Sequence, residues 1–582
     1  MNRRRFRKWL GLLILLFLVL FPTLPIVAAQ GPAVTDKVEP ALLEQLAAGG
    51  EADFLLIFGE QADLFPAYQM GWHERGEFVV RTLNQVARRS QAAAKAYLDR
   101  QGLRYETFIA GNELYVWSGD VTRLASLASF PEVAYIRGTR VYEVGPIQPT
   151  DGPAPQGTTS WGIVDTGADD FWAAYSMRGE GMVVANIDTG VQWNHPALVN
   201  QFRCPGQPAD PACWRDPKNV CKGSACDNNG HGTHTMGTMV GSDDPGLPYN
   251  VGMAPKSQWI ACKGCESRTC SEYSLNACAD WILAPGGSAA NRPHVVNNSW
   301  GGDRGCDTWY LGKVSAWRAA GIFPAFAAGN LYQYYGCNSL SAPGNYQESF
   351  ASAAHNSGRY VASFSSRGWQ TGGSGSCDPH DPYTKPNISA PGVSVISAFP
   401  PNGWASGSGT SMASPHSAGA VALLWSCNPG LVGQVDQTFQ LLQEGADAPP
   451  AGGCDAPPDA QGNYTYGYGY LNVLRAGQTV CQGGFLSGHV YQAGSGTPLP
   501  GAIIDALPSR PLLANTDATG YYTHSLAPGT YDVTASRGAY LPESVTDVVI
   551  VTDTVTTQDF YLDPVSTMPY QFYLPLAPCR YP

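Results

Sequence analysis

Short apolar runs without polar alternation recur between residues 161 and 482, and helical segments separate them. The clearest runs are Met182 to Ile187, Gln258 to Cys262, Val295 to Asn298 and Ile322 to Ala327. Runs of this kind are typical of parallel strands that helices cover on both faces. The alternation of strand and helix therefore predicts an α/β domain built on a doubly wound, mostly parallel sheet.

A smaller unit precedes this domain. Residues 53–58 (DFLLIF) form an apolar strand pattern, and apolar residues recur at helical spacing over residues 77–101. Residues 30–144 are therefore expected to fold as a small α+β unit. Residues 145–160, which are rich in Pro, Gly and Thr, predict an exposed linker between the two units.

The C-terminal region changes character again. Over residues 486–563, strand-like pieces such as AIIDAL and YDVTAS alternate with turns such as Pro500-Gly501. This pattern predicts a small β-sandwich. Residues 564–582, which are rich in Pro and Tyr, are expected to form a tail without a fold of its own.

The first residues read as an export signal. Basic residues crowd the first eight positions, the apolar run Trp9 to Phe21 follows, and Val27-Ala28-Ala29 supplies the small residues that a signal peptidase requires. Residues 1–29 are therefore expected to be a signal peptide, cleaved before Gln30, and the protein is expected to be secreted. Arg3-Arg4 leaves the export route open. The alternative is an uncleaved anchor, although the run is short for a span of about 20 residues.

Composition narrows the possible partners. Of the 582 residues 44% are hydrophobic, which is enough for a sizeable core and excludes a fully disordered chain. The net charge of −12 disfavours binding to nucleic acid or to an anionic membrane. No stretch beyond the N-terminal run predicts a membrane span, and we expect a monomer.

The 15 cysteines indicate disulfides, because export places thiols in an oxidising environment. We predict the bridges Cys221–Cys226 and Cys306–Cys337. The odd count leaves Cys579 either free or paired outside the chain. A zinc site is the alternative for four further cysteines, although their spacing is irregular for one; these are Cys262, Cys265, Cys270 and Cys278.

Three segments carry candidate catalytic residues. Asp188 ends a buried apolar strand, the place where ligands gather in open α/β sheets. His231 opens a helix among small residues, which leave its imidazole accessible. Ser411 begins another helix, where the positive end of the dipole favours charge on an oxygen. A histidine can take the proton of a serine hydroxyl, and a carboxylate can fix the tautomer of that histidine.

A fourth segment, FAAGN, ends in Asn330, whose amide is expected to donate to an oxyanion beside the Ser411 N–H. The segments NIDTGV, NNGHGTHTMGT, NNSWGG, FAAGN and GTSMASPHSAGAVALL resemble those of subtilisin-like serine proteases (subtilases), most closely the bacillopeptidase F-like branch. The resemblance covers residues 161–482. It implies an endopeptidase that forms an acyl-enzyme on Ser411, with Asp188 and His231 completing the triad.

The resemblance also implies the elements that bind substrate. Ser299-Trp300-Gly301 would be an edge strand that pairs with the extended substrate backbone. Ala327, Ala328 and Gly329 would form a wall of the primary specificity pocket, and Ser341 would lie near its base. These pocket residues carry no acid, which argues against a preference for paired basic residues.

The flanking units fit the same resemblance. Residues 30–144 resemble the inhibitory propeptide of subtilases, and residues 145–160 would then be the processing region. Residues 486–563 resemble a carboxypeptidase regulatory-like domain. The expected partners are protein or peptide substrates and the chain's own propeptide. No cofactor would be required for the chemistry; the family often holds structural calcium, but the sequence places no metal ligands.

The same motifs allow other assignments of the catalytic residues and of the function. Asp-Thr-Gly occurs at both Asp165 and Asp188, as it would in an aspartic protease, but Asp188 is preferred because it follows the long buried strand. His234 is expected to pack inside its helix. Ser411 does not lie in the G-x-S-x-G motif of lipases and esterases. A catalytically silent secreted binding protein that retains the fold is the main rival, although no triad residue is missing.

Overall fold

The computed structural model describes residues 34–565 except 48, 146–147, 150–156, 303, 306, 369–383, 455–461, 479, 482–483, 508–513, 518, 527 and 552–553. The predicted signal peptide, Cys306, Cys579 and most of the predicted tail lie outside the described residues.

The first unit is a small sheet packed with helices. Its described helices are α1 (Pro40–Ala47), α2 (Trp72–Ser90), α3 (Ala92–Gln101) and α4 (Val121–Ala128), with 3₁₀ turns at Val34–Lys37 and Phe65–Gln69. Its strands are β1 (Ala52–Phe58), β2 (Tyr105–Phe108), β3 (Glu113–Gly119), β4 (Val133–Gly138) and β5 (Val141–Glu143).

Strand β1 is apolar at successive positions because both of its faces are covered. It lies inside an antiparallel sheet of order β2-β3-β1-β4. Phe54 and Leu56 pack on the helices of the same unit, whereas Leu55 packs with Tyr115 against Tyr273 of the next unit. The expected α+β unit is confirmed.

The second unit holds the predicted α/β domain. Its described helices are α5 (Trp161–Asp165), α6 (Ala168–Tyr175), α7 (His231–Val240), α8 (Glu272–Leu283), α9 (Leu311–Ala319), α10 (Tyr332–Tyr335), α11 (Thr410–Cys427), α12 (Val435–Glu444) and α13 (Val473–Gly477), with 3₁₀ turns at Pro285–Gly287, Ala289–Asn291 and Pro429–Leu431. Its strands are β6 (Gln148–Pro149), β7 (Thr158–Thr159), β8 (Val183–Asp188), β9 (Trp214–Arg215), β10 (Tyr249–Asn250), β11 (Gln258–Lys263), β12 (Thr269–Ser271), β13 (Val295–Asn298), β14 (Phe323–Ala327), β15 (Phe350–His355), β16 (Ile388–Pro391), β17 (Val395–Phe399) and β18 (Gly403–Gly407).

The main sheet has the order β16-β15-β14-β13-β8-β11-β9, and each neighbouring pair is parallel. The four predicted apolar runs correspond to β8, β11, β13 and β14. The chain adds β11 on one side of β8 and then crosses to add β13 on the other. The carboxyl end of β8 is therefore a topological switch point, where ligands bind in sheets of this type. The doubly wound, mostly parallel sheet is confirmed.

Helix α11 runs through the interior of this unit, and all of its residues are buried. It packs against α7 and against strands β13 to β16, while α8 and α9 pack against each other and on β11 and β14. A helix buried on every side needs small or apolar residues all round, which the sequence of α11 supplies. This helix brings its N-terminal residues to the switch point.

The third unit contains β19 (Gly484–Gln492), β20 (Ile503–Leu507), β21 (Ala514–Asn515), β22 (Tyr521–Leu526), β23 (Gly529–Ser536), β24 (Glu543–Ile550), β25 (Val555–Thr557) and β26 (Phe560–Leu562). One sheet has the order β22-β19-β25, with β26 also paired to β19, and the other has the order β21-β20-β23-β24. The inward residues Leu486, Val490, Val533 and Phe560 share one core. The predicted β-sandwich is confirmed.

The disulfides correct two expectations drawn from the sequence. Cys221–Cys226 forms as predicted. The predicted partner of Cys337 is wrong, because Cys337 bonds Cys454, which lies 117 residues on with its Cα atom 5.8 Å away. The zinc alternative is also wrong, because its four cysteines form two disulfides, Cys262–Cys278 and Cys265–Cys270. Pairing depends on tertiary proximity, which spacing along the chain does not reveal.

Within the described residues, no helix is both long and apolar enough to cross a membrane.

Candidate active site

Asp188 and His231 meet at the carboxyl end of β8. Asp188 is the last residue of β8, His231 is the first residue of α7, and both side chains are 1% exposed. Asp188 Oδ1 accepts hydrogen bonds from His231 Nδ1 and from the Thr189 N–H, each at 2.7 Å. Because an ionised carboxylate only accepts, the ring proton lies on Nδ1 and the neutral ring keeps its lone pair on Nε2.

The charge on Asp188 acts on the imidazole. Burial by itself lowers the pKa of His231, but the Asp188 carboxylate outweighs burial, and the pKa lies above its ordinary value. Asp227 adds a smaller contribution in the same direction.

Asp227, which was not among the residues predicted from the sequence, joins the end of β8 to the start of α7. Its carboxylate accepts from the Thr189 hydroxyl at 2.9 Å, from the Gly230 N–H at 2.8 Å and from the Thr233 N–H at 2.9 Å. A carboxylate just before a helix is suited to the free N–H groups of the first turn. The sequence signal that could have identified Asp227 is its position four residues before His231.

Ser411 and Ser299 hold each other through two hydrogen bonds. The Ser411 hydroxyl donates to Ser299 O at 3.0 Å, and the Ser299 hydroxyl donates to Ser411 O at 2.8 Å. The second bond forms because Pro415, four residues on in α11, lacks the N–H that would otherwise bond Ser411 O. Ser411 is therefore held at the start of the helix, with 6% of its surface exposed.

The imidazole and the Ser411 hydroxyl do not share a hydrogen bond in this structure. His231 Nε2 is buried and has no hydrogen-bond partner among the described residues. The hydroxyl of Ser411 is directed to Ser299 O instead. The structure thus joins Asp188 to His231 directly, and it joins Ser411 to the edge segment at Ser299.

Asn330 is oriented by the residue that precedes Ser411. Asn330 Oδ1 accepts from the Thr410 N–H at 2.9 Å and from the Thr410 hydroxyl at 3.1 Å. Since a backbone N–H can only donate, the atom facing it must be the amide oxygen, which leaves Nδ2 as a donor. Asn330 and Ser411 line the same cavity.

This cavity, of about 160 Å³, also contains most of the residues predicted to bind substrate. Gly329 is required there, because its φ is +105° and a Cβ atom would lie 2.3 Å from Ser341 Oγ. Ala328, which follows the end of β14, does not line the cavity; it is buried and packs with Leu340 and Ala351. The predicted residues that do line the cavity are Ser299, Trp300, Gly301, Ala327, Gly329 and Ser341.

The end of the first unit occupies one side of this cavity. Glu143 and Gly145 line it together with Ser411. Strand β5 pairs antiparallel with β12, so that Tyr142 lies opposite Cys270, and the Val144 N–H donates to Arg268 O at 2.9 Å. Only the edge segment at Ser299 was predicted from the sequence; β12 was missed, because three residues centred on a cysteine show no strand pattern.

The ring of Tyr142 enters an aromatic recess next to the cavity. It stacks on Trp309 with ring centroids 5.0 Å apart and lies 6.4 Å from Trp300. Trp300 is 2% exposed and packs edge-on against Tyr310. Trp300 therefore belongs both to the wall of the cavity and to the core.

Buried asparagines connect the elements beneath the site. Asn297 Nδ2 donates to Asn186 Oδ1 and to Ser299 Oγ, each at 3.0 Å, and the Ser414 hydroxyl donates to Asn297 Oδ1 at 2.7 Å. Asn186 Nδ2 donates to Thr235 Oγ1 at 2.8 Å. Polar residues inside the apolar strands β8 and β13 were the sequence signal for this network, which links the serine segment to the histidine helix.

His234 is held by main-chain carbonyls of two neighbouring strands. Its Nε2 lies 3.0 Å from Val395 O and 3.1 Å from Ala405 O. Burial lowers the pKa of His234 to about 3. The ring is therefore neutral at ordinary pH and joins α7 to β17 and β18.

The second Asp-Thr-Gly segment makes a separate buried group. Asp165 Oδ2 lies 2.9 Å from His355 Nε2, and His355 Nδ1 lies 2.9 Å from Ser389 Oγ. His355 and Ser389 are fully buried, so no polypeptide can reach this serine. Arg359 also donates to Asp165 Oδ1 at 2.9 Å.

Among the described residues, no group of three or more His, Cys, Asp or Glu side chains is placed to hold a metal ion.

A parallel sheet with an Asp–His pair at its switch point, a serine at the start of a buried helix and an amide beside that serine defines the class of serine hydrolases with an α/β fold. The chain belongs to the subtilase family, whose family model matches residues 179–469. A model of the carboxypeptidase regulatory-like domain matches residues 486–563.

Individual relatives agree with this assignment. Bacillopeptidase F of Bacillus subtilis (strain 168) is 38% identical over 353 residues, which are 58% of this chain and 23% of that protein. The chain thus spans about a quarter of the length of that relative. Subtilisin DY of Bacillus licheniformis is 33% identical over 322 residues, which are 55% of this chain and 99% of the relative.

A solved structure shares the fold. The crystal structure of fervidolysin from Fervidobacterium pennivorans, described as a keratinolytic enzyme related to subtilisin, matches with a TM-score of 0.51 at 17% identity. The match covers 88% of this chain and 79% of that one.

Proposed function

We propose that the chain is a secreted serine endopeptidase that hydrolyses peptide bonds of proteins through an acyl-enzyme on Ser411. The observation that carries this proposal is the bond from His231 Nδ1 to Asp188 Oδ1, which leaves the buried Nε2 atom with a lone pair and, among the residues that the structure describes, no partner. A nitrogen in this state is suited to take a proton from a serine hydroxyl.

The first step transfers that proton. The Ser411 hydroxyl turns from Ser299 O towards His231 Nε2 and gives up its proton as Oγ attacks the carbonyl carbon of the substrate. The imidazolium that forms is stabilised by Asp188. The negative charge on the carbonyl oxygen is received by Asn330 Nδ2 and by the Ser411 N–H at the start of α11.

The second half of the reaction reverses the proton flow. His231 gives its proton to the leaving amine, the C–N bond breaks, and the acyl group remains on Ser411 Oγ. A water molecule then gives a proton to Nε2 and attacks the ester; the bond between the acyl carbon and Ser411 Oγ breaks, and Nε2 returns its proton to Oγ, which releases the acid and restores the serine. Apart from the substrate and water, every group in these steps is a side chain or a main-chain N–H of this chain.

The substrate would bind as an extended strand. Strand β5 already takes this position, paired with β12 and ending at the cavity of Ser411. We therefore propose that residues 30–144 are an inhibitory propeptide, removed by cleavage within residues 145–160 after the signal peptide (1–29) is lost. Residues 161–482 would be the catalytic domain and 486–563 an accessory domain.

A second candidate function rests on one observation. Because the Ser411 hydroxyl bonds Ser299 O rather than the imidazole, the chain is also compatible with a catalytically silent binding protein that keeps the fold. Labelling by a fluorophosphonate separates the two functions. We expect the processed protein to be labelled and the Ser411→Ala variant not to be labelled. The Ser426→Ala variant, altered near the other end of the same helix where the hydroxyl donates to Leu423 O, should keep labelling. Absence of labelling in processed wild-type protein would favour the silent protein.

Processing has its own test. N-terminal sequencing of the active secreted protein should find a first residue between 145 and 161. Active protein that begins at Gln30 would refute obligatory removal of the first unit.

A further inference from the structure

The loop that carries β12 is tied to the catalytic strand by a disulfide. The Cys265 N–H donates to Asp188 O at 3.0 Å, so that Cys265 sits at the end of β8. Cys270 is the middle residue of β12 and lies opposite Tyr142. The two sulfur atoms are bonded, and both cysteines are fully buried. The disulfide therefore connects the end of β8, which carries Asp188, with β12, which pairs with β5.

Strand β12 depends on support from elsewhere. It is three residues long, and of the described strands it pairs with β5 alone. When the first unit leaves, β12 loses this partner, and an unpaired segment gains backbone freedom that any incoming substrate must remove again. A cross-link that holds the segment extended reduces this entropy before substrate arrives.

Hydrogen bonds within the loop point to the same role. The Glu266 N–H donates to Thr269 O at 2.8 Å and closes the turn before β12. The Glu266 side chain accepts from the Ser271 N–H at 3.2 Å and from the Ser274 hydroxyl at 2.8 Å. Asn228 Nδ2, in the segment that precedes His231, donates to Glu266 O at 2.9 Å. These bonds therefore connect both ends of β12 to the segments that carry Asp188 and His231.

We propose that the Cys265–Cys270 disulfide positions β12 for main-chain pairing with substrate residues on the amino side of the cleaved bond. This inference rests on the proposed function of Ser411. The disulfide controls how tightly long substrates bind and leaves the bond-breaking step unchanged. Cys265 and Cys270 are positioning residues, because they act through the backbone of β12.

The test compares two substrates in the processed enzyme. A single-residue p-nitrophenyl ester reaches Ser411 without touching β12, whereas a p-nitroanilide with four residues before the cleaved bond pairs with it. In C265S/C270S, we expect kcat/KM for the longer substrate to fall about tenfold, through KM, as one or two backbone hydrogen bonds weaken. The ester should be hydrolysed as before. An equal fall for both substrates, or no fall for the longer one, would overturn the proposal.

The matched control is C221S/C226S, which opens a disulfide of the same sequence separation, 5. Any effect of this control should be equal for the two substrates, and a length-dependent loss there would also contradict the proposal. If the serine pair is not secreted, C265A/C270V fills the space of the sulfurs with apolar atoms and the same comparison applies. Wild-type enzyme that hydrolyses neither substrate would instead refute the function of Ser411.

Discussion

Ser299 and Ser411 exchange hydroxyl-to-carbonyl hydrogen bonds across the site, each residue donating to the main chain of the other. The arrangement depends on Pro415, which leaves Ser411 O without a donor inside α11. One pair of bonds thus sets the position of the proposed nucleophile and of the edge segment that would bind substrate.

Removal of the Ser299 hydroxyl should therefore destabilise the domain. Ser299→Ala leaves the buried Ser411 O without a partner, and we expect a loss of about 1–3 kcal/mol in the free energy of unfolding. Urea denaturation in a Ser411→Ala background, which prevents self-digestion, measures it. Ser299→Thr keeps a hydroxyl and should lower the free energy of unfolding less than Ser299→Ala does. Equal losses in the two variants would show that the bond to Ser411 O does not stabilise the domain.

Loss of the base or of the nucleophile should abolish turnover without unfolding the protein. We expect Ser411→Ala and His231→Ala each to lower kcat on a peptide substrate by about 10⁶. Circular dichroism should show an unchanged fold. Retained cleavage of casein by either variant would remove the assignment of that residue.

The pH dependence of activity should report the charges around His231. Activity requires the neutral imidazole, and Asp188 together with Asp227 holds the pKa of His231 above its ordinary value. Asp227→Asn removes a negative charge, so the imidazolium is less favoured and the acid limb of the kcat/KM profile should move to lower pH. Lys263 and His234 lie nearby and remain unchanged in this variant. Asp243→Asn, an acid paired with Arg178 at the surface, should leave the limb in place.

Asp280 should make the unprocessed chain less stable as the pH rises. Burial against the first unit raises the pKa of Asp280 to about 7, although the Ile109 and Ala110 N–H groups donate to it. The pKa of Asp280 in the folded chain lies above the ordinary value of about 3.9. The contribution of Asp280 to the free energy of unfolding is therefore complete below about pH 3.9 and is lost as the pH rises through about 7.

The Tm of the Ser411→Ala chain, measured between pH 5 and 8, tests this. Asp280→Asn should flatten the fall in Tm over that range. Asp436→Asn, which changes an exposed acid, should leave the fall as it is in the parent. A slope unaltered by Asp280→Asn would show that another group titrates.

A buried ion pair between Arg137 and Glu272 should stabilise the contact between the first two units. Arg137 donates to Glu272 at the start of α8, and the two side chains are 5% and 0% exposed. Glu272→Gln leaves a buried guanidinium without its charge partner, which costs about 3–5 kcal/mol in pairs of this kind. Urea denaturation of the Ser411→Ala chain measures the loss. Glu60→Gln, in the exposed pair with Arg89, should leave the midpoint unchanged.

The sequence alone was enough to predict the fold class, which the structure confirms, and to propose the three units and the candidate residues Asp188, His231, Ser411 and Asn330. Those inferences rest on local patterns: apolar runs, turn residues, and polar groups placed at strand or helix ends. Cys221–Cys226 could be predicted for the same reason, because its partners are five residues apart.

Tertiary structure decided which distant groups meet. Asp165 and Asp188 carry the same tripeptide and both face a histidine, yet only the packing shows that the serine beside His355 is sealed from solvent. The partner of Cys337, the pairing of β12 with β5 and the bond from Ser411 to Ser299 join segments far apart along the chain or lack any periodic pattern. Such contacts depend on how the strands and helices pack in three dimensions. Local patterns along a single strand or helix do not predict that packing.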